Sequence, residues 1–299
     1  MENKVITGGI IALAIIVLIA FFCIWLGKNV VDKFWQPDTE NTNTSVEPPK
    51  SLPPVSPEQA AQIFLALGNP SGATANASNQ DNYLIVNTAY ALSYNSGRGM
   101  ANWVSWRIAE SDLGTADRQN NFRPDTSLPK NFTRVTPADY TGSGFDRGHL
   151  CPSADRSASA EANSLTFLMT NMIPQTGDLN RNVWDNFESY SRGLVKKGKV
   201  DLYVVAGVYG DKGKLKRKVT VPTNCWKIIV AVPQGADISA VNENTHVVAV
   251  DMPNTMGIAK ADWRKFRTTV RSIEQKTGYN FLSNLPQNVQ DALETTMEK

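Results

Sequence analysis

The densest group of chemically active side chains lies in the segment 140–152, YTGSGFDRGHLCP. Asp146, Arg147 and His149 fall within four residues, and Gly148 separates the last two. Arginine offers a fixed cationic fork that matches a phosphate, and histidine is the side chain whose ordinary pKa lies nearest neutrality. Together they suit hydrolysis of a phosphodiester, in which a base activates water and a cation stabilises developing charge.

The glycines of this segment allow other interpretations. A G-x-G-x-x-G phosphate-binding pattern would need glycine at position 147, which is Arg147, and no G-K-[ST] sequence follows. A glycine-rich turn before an edge strand stays open as a purely structural interpretation. A glycine at position 148 would let the backbone bend or let a ligand approach closely.

A second group of polar residues follows in the segment 170–188, TNMIPQTGDLNRNVWDNFE. Asp178 is predicted to cap a helix, which places Asn180 in its first turn. Glu188 then lies about 2.2 turns further on, roughly 80° around the helix. An amide oxygen near a carboxylate suits Mg²⁺, which takes few protein oxygens and keeps several waters. The alternative is a helix cap and a solvated helix face.

These segments together resemble the DNA/RNA non-specific endonuclease family, which has a ββα-metal active site and includes Serratia-type nucleases. The resemblance is carried by D-R-G-H (146–149), N-M-I-P-Q (171–175) and L-N-x-x-x-W-x-x-x-E (179–188). The stretch LALGNPSGAT (65–74) and the run NWVSW (102–106) are most similar to the cyanobacterial nuclease A branch of that family. The resemblance spans roughly residues 60 to 290.

The resemblance implies a role for each matching residue. His149 corresponds to the general base that takes a proton from the attacking water, and Asn180 to the only direct protein ligand of the Mg²⁺. Glu188 corresponds to the carboxylate that holds a metal-bound water. Arg147 corresponds to an arginine near the scissile phosphate, and Asp146 receives a supporting role.

The family's other phosphate-binding arginine precedes an F-x-x-D run, which is FRPD (122–125) in this sequence. Arg118 is the nearest upstream match and is the predicted catalytic and substrate-binding arginine. Arg123, inside the run, is the competing assignment.

The implied activity is hydrolysis of DNA and RNA by a Mg²⁺-dependent endonuclease that leaves 5′-phosphate and 3′-hydroxyl ends, with Mn²⁺ or another divalent ion as an alternative cofactor. A histidine base must be neutral, so activity is expected to fall below about pH 6 unless the pKa of His149 is shifted. Two alternatives are a non-catalytic nucleic-acid-binding or uptake module with the same fold, and an enzyme acting on another phosphodiester, such as a lipid head group. The sequence identifies neither an inhibitor protein nor an oligomeric state.

The composition of the 299 residues narrows the class of protein. Lys and Arg number 30 against 28 Asp and Glu, so the net charge of +2 gives no global basic field that would indicate nucleic-acid binding. Three cysteines and two histidines exclude a disulfide framework and a zinc scaffold rich in Cys and His. Whether Cys151 and Cys225 are buried thiols or a pair stays open. His246, in an apolar alternating stretch, is predicted to be structural.

A basic run, DKGKLKRK (211–218), is predicted to form a solvated hairpin, with contact to a nucleic-acid backbone as the alternative. Its cationic residues are Lys212, Lys214, Lys216, Arg217 and Lys218.

Hydrophobic patterning predicts the elements that position these residues. Strands are predicted at 83–94, 102–108, 202–210, 226–232 and 245–250, and helices at 179–195 and 262–276, the second ended by Gly278. Because strands and helices do not alternate regularly, the pattern favours an α+β class over a doubly wound sheet. With the resemblance, the expected fold is a mixed or antiparallel sheet core flanked by helices.

The N-terminal region is predicted to hold the protein at a membrane. Residues 5–27 carry no charge and would rise ~35 Å as a helix, enough to cross a ~30 Å hydrocarbon core. Residues 1–36 are therefore the predicted anchor, with Trp25 and Trp35 near the interface. A cleaved signal peptide is the alternative.

Residues 37–59, with six prolines, are the predicted extended tether, and residues 60–299 the predicted nuclease domain. A single-pass membrane protein with this domain on the non-cytoplasmic side is expected, because an unrestrained nuclease would damage its own cell.

Overall fold

A seven-stranded antiparallel sheet forms the centre of the computed structural model, which describes residues 56–297. The strands are β1 (Tyr83–Val86), β2 (Ala91–Asn95), β3 (Met100–Ile108), β4 (Asp146–His149), β5 (Met172–Gln175), β6 (Val200–Tyr209), β7 (Lys214–Leu215), β8 (Val219–Thr220), β9 (Asn224–Pro233), β10 (Val247–Pro253) and β11 (Arg267–Thr268). The order across the large sheet is β1-β2-β3-β6-β9-β10-β11. Its central pair, β6 and β9, is in register over ten residues.

Helices cover both faces of this sheet, because its strands are apolar on both sides. The helices are α1 (Pro57–Phe64), α2 (Ala160–Leu165), α3 (Asp185–Gly198), α4 (Val270–Thr277) and α5 (Gln287–Thr295). Side chains of α1 and α3 share one apolar cluster with alternate residues of the strands, and side chains of α4 and α5 share a second cluster with the others. The sheet therefore lies between two helical layers.

A separate two-stranded antiparallel sheet, β4 with β5, lies on the α3 side of the large sheet. Asp146 pairs with Gln175, and His149 pairs with Met172. Four residues after the end of β5, the chain enters a π-helical turn, Leu179–Trp184, which runs directly into α3. Two antiparallel strands and a helix thus bring both polar segments of the sequence together.

The α+β class and the antiparallel sheet are confirmed, and most predicted strands agree with the structure to within three residues. Two elements were predicted wrongly. The stretch 83–94 is two strands, because the side chain of Asn87 accepts hydrogen bonds from the backbone of Ala89 and Tyr90 and makes a turn. The stretch 262–276 is a 3₁₀ turn (Trp263–Phe266), the short strand β11 and then α4, so its cations do not share one helix face.

The N-terminal predictions lie almost entirely outside the described residues. The anchor (1–36) and residues 37–55 of the tether are not described. The last three tether residues belong to α1 instead, because Ser56 and Gln59 form a capping box that starts this helix at Pro57. Between residues 56 and 297 no helix has the length and apolar character needed to cross a bilayer.

Candidate active site

A cavity of about 270 Å³ opens where β4 meets the start of α3. It is lined by Arg118, Arg147, His149, Pro152, Ser153, Asn180, Arg181, Asp185 and Glu188. Five of the residues singled out in the sequence therefore share one cavity. Arg181, Asp185 and Ser153 also line it and were not predicted.

His149 ends strand β4 and is 8% exposed. Burial lowers the pKa of His149 to about 3, and the positive charges of Arg118 and Arg147 act in the same direction. The imidazole is therefore neutral at any ordinary pH, so the exception attached to the predicted fall in activity below about pH 6, a shifted pKa of His149, is met. Its Nε2 atom is buried and has no hydrogen-bond partner among residues 56–297.

Two phenylalanine rings hold the histidine and the two arginines in place. The ring of Phe167 lies 5.0 Å from that of His149, and the guanidinium of Arg118 lies 4.8 Å from the same phenyl ring. Phe122 lies 5.7 Å from His149 and carries the guanidinium of Arg147 at 4.1 Å. Stacking on ring faces fixes both cations beside the imidazole without neutralising their charge.

The structure separates the two candidate arginines upstream of β4. Arg118 lines the cavity and donates to the hydroxyl of Ser153 and, at 2.9 Å, to Asn120. The guanidinium of Arg123 instead donates to the carbonyl of Ser164 at 2.9 Å, outside the cavity lining. Only Arg118 is therefore placed to meet a group bound near His149.

Asn180 lies in the π-helical turn before α3, and its side-chain orientation is set by Asp146. The Nδ2 group of Asn180 donates to Asp146 Oδ2 at 3.0 Å, while Arg181 donates to both oxygens of that carboxylate. Burial raises the pKa of Asp146, but the hydrogen bonds from Arg181 and Asn180 outweigh it and leave that pKa below its ordinary value. Because an amide oxygen facing a carboxylate would be repelled, the Oδ1 atom of Asn180 must be the one that points away.

Asp178 occupies the N-cap position of the π-helical turn, but the predicted capping interaction of its side chain was wrong. Its carboxylate makes no cap bond and instead accepts from the backbone of Gly257 at 2.6 Å. The side chain and carbonyl of Thr176 accept from Leu179 and Asn180 in its place. The predicted angle of roughly 80° between Asn180 and Glu188 assumed a regular α-helix, but the first turn is π-helical. Both side chains nevertheless line the cavity.

Glu188 lies on α3 and is nearly fully buried. Its Oε1 atom accepts from Lys227 Nζ at 3.0 Å across the interface between α3 and β9. Burial raises the pKa of Glu188, and the charge of Lys227 opposes that rise. Lys227 was not predicted, although a lone lysine inside the apolar stretch WKIIVAV (226–232) was a usable signal.

Gly148 is needed for packing within the small sheet. Its backbone is not left-handed, and a Cβ atom at this position would fall 1.9 Å from the side-chain oxygen of Gln175, which is fully buried. The group that comes close to the backbone at position 148 is thus the side chain of Gln175 on β5. Neither a backbone bend nor a bound ligand is the reason for a glycine here.

Two buried asparagines tie the site segments to the rest of the fold, and neither was predicted. Asn171 exchanges hydrogen bonds with the backbone of Cys151 at 2.9 and 2.8 Å, which extends the pairing of β4 beyond His149. Asn254 accepts from the backbone of Thr176 and donates to Pro174, both at 2.9 Å. Asn171 thus holds the segment just after β4, and Asn254 holds the segment that leads from β5 to α3.

The remaining candidates lie elsewhere. The basic run forms the hairpin β7–β8 as predicted, and Lys214, Lys216 and Lys218 each donate to a protein carbonyl or carboxylate. His246 lies just before β10, outside the cavity, with its Nε2 atom 3.4 Å from the hydroxyl of Tyr190. Cys151 and Cys225, which sequence analysis left open, are separate buried thiols.

The cavity suits a sparsely liganded divalent ion. Asn180 contributes an amide oxygen that has no protein partner among the described residues, and its orientation is fixed by Asp146. Mg²⁺ usually takes one or two protein oxygens and keeps several waters, so such a donor set fits it. Within residues 56–297, no three His, Cys, Asp or Glu side chains are grouped as a metal cluster.

Comparison with known proteins gives consistent matches to nucleases. The sequence profile described as DNA/RNA non-specific endonuclease matches residues 67–288. A nuclease of Nostoc sp. is 52% identical over 238 residues, which are 79% of this chain and 86% of that protein. The nuclease of Serratia marcescens is 34% identical over 242 residues, which are 77% of this chain and 84% of that protein.

A solved structure of an EndoG/EndoGI complex, described as showing the mechanism of EndoG inhibition, contains a chain of similar fold. The TM-score is 0.62 at 25% sequence identity, and the match covers 76% of this chain and 92% of that chain.

Proposed function

This chain belongs to the DNA/RNA non-specific endonuclease family, and on that premise we propose that it is a Mg²⁺-dependent nuclease that hydrolyses the phosphodiester bonds of both DNA and RNA and leaves 5′-phosphate ends. The observation that carries the proposal is the convergence of His149, Asn180, Glu188 and two arginines on one cavity of about 270 Å³.

In this proposal His149 is the general base. Its neutral imidazole can accept a proton from a water molecule in the cavity, and burial with two neighbouring cations keeps it neutral beforehand. Because Nε2 is buried, Nδ1 is the nitrogen left to accept that proton. Replacement of a positioned base typically costs about 10²–10⁴-fold in rate.

Arg118 and Arg147 bind the scissile phosphate. Each guanidinium rests on a phenyl ring at the cavity wall, so its charge is placed in advance for the charge that develops on the phosphoryl oxygens. These contacts read phosphate and no base edge, which agrees with cleavage without sequence preference.

Asn180 would hold the divalent ion through Oδ1, and Asp146 would keep that amide oriented. When bound, the ion would act as a Lewis acid on the phosphate and would supply a water to protonate the leaving 3′ oxygen. Glu188 would accept a hydrogen bond from water on the ion.

Digestion of supercoiled plasmid and of structured RNA by the purified chain tests this function. With Mg²⁺ both substrates should be cut internally, and EDTA should abolish cutting. DNA ligase should join the DNA products without prior phosphorylation, because their 5′ ends already carry phosphates. His149→Ala should lose at least a hundredfold in rate, whereas His246→Ala, the matched control outside the cavity, should keep it. Equal activity of His149→Ala and the wild type, or cutting that survives EDTA, would refute the proposal.

We also propose that residues 1–36 anchor the protein in a membrane and that the nuclease domain lies on the non-cytoplasmic side. The support is the charge-free run at 5–27 and the proline-rich stretch that follows it. A long tether would let the domain reach a polymeric substrate away from the membrane surface.

A further inference from the structure

One lysine is buried inside the central sheet next to the site. The side chain of Lys227 is 2% exposed, and it lies on β9 in register with Ala206 of β6. Alternation along β9 turns Trp226 and Ile228 toward the α4–α5 layer and places Lys227 on the α3 side.

Three groups surround the ammonium of Lys227. Its Nζ atom donates to Glu188 Oε1 at 3.0 Å and lies over the rings of Trp184 at 4.2 Å and Trp106 at 5.3 Å. Burying an ammonium without a counter-charge is strongly unfavourable. Glu188 is the single carboxylate that Lys227 contacts among the described residues, so the two charges are retained as a pair.

The other charged groups that face Glu188 do not replace Lys227. Arg192, one turn along α3, is engaged by Asp155 at 3.0 Å, and Asp155 also accepts from Trp106 Nε1 at 3.0 Å. Arg118 faces Glu188 across the cavity and donates to Ser153 and Asn120. Asp155 raises the pKa of Glu188 further, so without Lys227 burial would favour the protonated acid.

We propose that Lys227 is a positioning residue of the nuclease reaction, which keeps Glu188 ionised and holds its Oε1 atom, so that Oε2 stays free to accept a hydrogen bond from water on the divalent ion. This rests on the proposed function of the cavity. Lys227 itself is sealed behind two tryptophan rings and does not reach substrate.

The variant Lys227→Met tests this, because methionine is an unbranched side chain only one atom shorter than lysine and carries no charge. Glu188 should then be protonated up to a higher pH. The acid limb of the pH–rate profile should move up by at least one unit, and activity should fall about tenfold for each unit by which the new pKa exceeds the assay pH. Activity should recover as the pH is raised.

Arg107→Met is the matched control, since it removes the cation from another ion pair with a buried carboxylate, Asp201, in the same sheet. It should lower stability without moving the acid limb. In the background of Glu188→Gln, which needs no counter-charge, adding Lys227→Met should cost less than threefold. The proposal would be overturned if the activity losses of Glu188→Gln and Lys227→Met multiplied in the double variant. It would also be overturned if the acid limb of Lys227→Met did not move.

A measurement on the wild type does not depend on the variants folding. The side-chain carboxyl ¹³C resonance of Glu188, assigned by its loss in Glu188→Gln, should report an ionised carboxylate at pH 7 without added metal. A protonated Glu188 at pH 7 in the wild type would overturn the proposal even if no Lys227 variant folds. An ionised Glu188 in a chain that cuts no nucleic acid would refute the proposed function alone.

Discussion

At the scale of single residues, the chemistry of the cavity is set by what surrounds each ionisable group. His149 is neutral because it is buried beside two cations, and Asp146 stays ionised because Arg181 and Asn180 donate to it. Burial disfavours the charged form of both groups, whereas the neighbouring cations disfavour a charged imidazole and favour a charged carboxylate. A neutral imidazole and an amide of fixed orientation follow from the packing of β4 against α3.

The depressed pKa of His149 predicts a specific loss of stability in acid. Between pH 6.5 and 3 the unfolded chain binds a proton at this histidine and the folded chain does not, so the free energy of unfolding falls as the pH falls. From pH 6.5 to 4.5 this loss amounts to about 2 kcal/mol. Urea unfolding of the wild type and of His149→Asn over that range measures it. The variant should lose less stability, and parallel curves would contradict the assignment.

Asp146 is expected to matter for binding of the metal more than for the rate at saturating metal. Asp146→Ala frees the amide of Asn180 to rotate, so the Mg²⁺ concentration for half-maximal activity should rise about 10–100-fold. Asp139→Ala is the matched control, because Asp139 pairs with Lys218 outside the cavity. Metal titrations of activity, and of Mn²⁺ binding by electron paramagnetic resonance, compare the two. Equal metal affinities would show that Asp146 does not orient the ligand.

Five polar residues of the cavity could be predicted from the sequence, but Ser153, Arg181, Asp185 and the side chains that pack around the site could not. D-R-G-H and the spacing to Asn180 and Glu188 are short-range patterns, and such patterns can be recognised in a single sequence. Phe122, Phe167 and Lys227 come from three distant segments, so only the folded chain shows that their rings and charge meet the site.

At the scale of elements, hydrophobic patterning located the sheet but not its interruptions. The stretch 83–94 is mostly apolar, and the hydrogen bonds of the Asn87 side chain make the turn that divides it. In 262–276 the helical period is genuine, yet Asp262 and Thr269 each cap a separate turn, and Thr268 pairs with Ala249 of β10. Side chains that compete for backbone groups decide such boundaries, and periodicity does not register them.

The small sheet is expected to tolerate no side chain at position 148. In Gly148→Ala the added Cβ meets the buried side chain of Gln175, so stability should fall by about 1–3 kcal/mol and activity should fall with the displacement of His149. Gly193→Ala, on α3 with open space around it, should be neutral or slightly stabilising. Urea unfolding and plasmid digestion measure both effects.

The double variant Gly148→Ala with Gln175→Ala is the decisive comparison, because it removes the side chain that the new methyl group meets. It should regain part of the stability lost in Gly148→Ala. No recovery would mean that the glycine serves the backbone and not this contact.

At the scale of the whole molecule, the central sheet separates the two helical layers. The cavity and its charged residues lie on the α3 side, and α4 and α5 close the other face with apolar side chains. Positive and negative side chains nearly balance, with a net charge of +2, so the whole molecule attracts a polyanion only weakly. We therefore expect the attraction to come from the arginines gathered at the cavity. The family profile covers this folded part, 67–288, and the N-terminal run precedes it.

The proposed membrane anchor predicts that its removal changes where the protein is found but not how fast it cleaves DNA. The full chain should stay in the membrane pellet after alkaline carbonate extraction, because a charge-free run of this length is held by the hydrocarbon core. A chain lacking residues 1–36 should appear in the supernatant with the same rate of DNA cleavage, while a chain lacking only 37–55 should remain in the pellet. Protease added to intact cells should remove the nuclease domain of the full chain. Survival of the domain would place it on the cytoplasmic side, and extraction of the full chain by carbonate would argue that residues 5–27 do not span the bilayer.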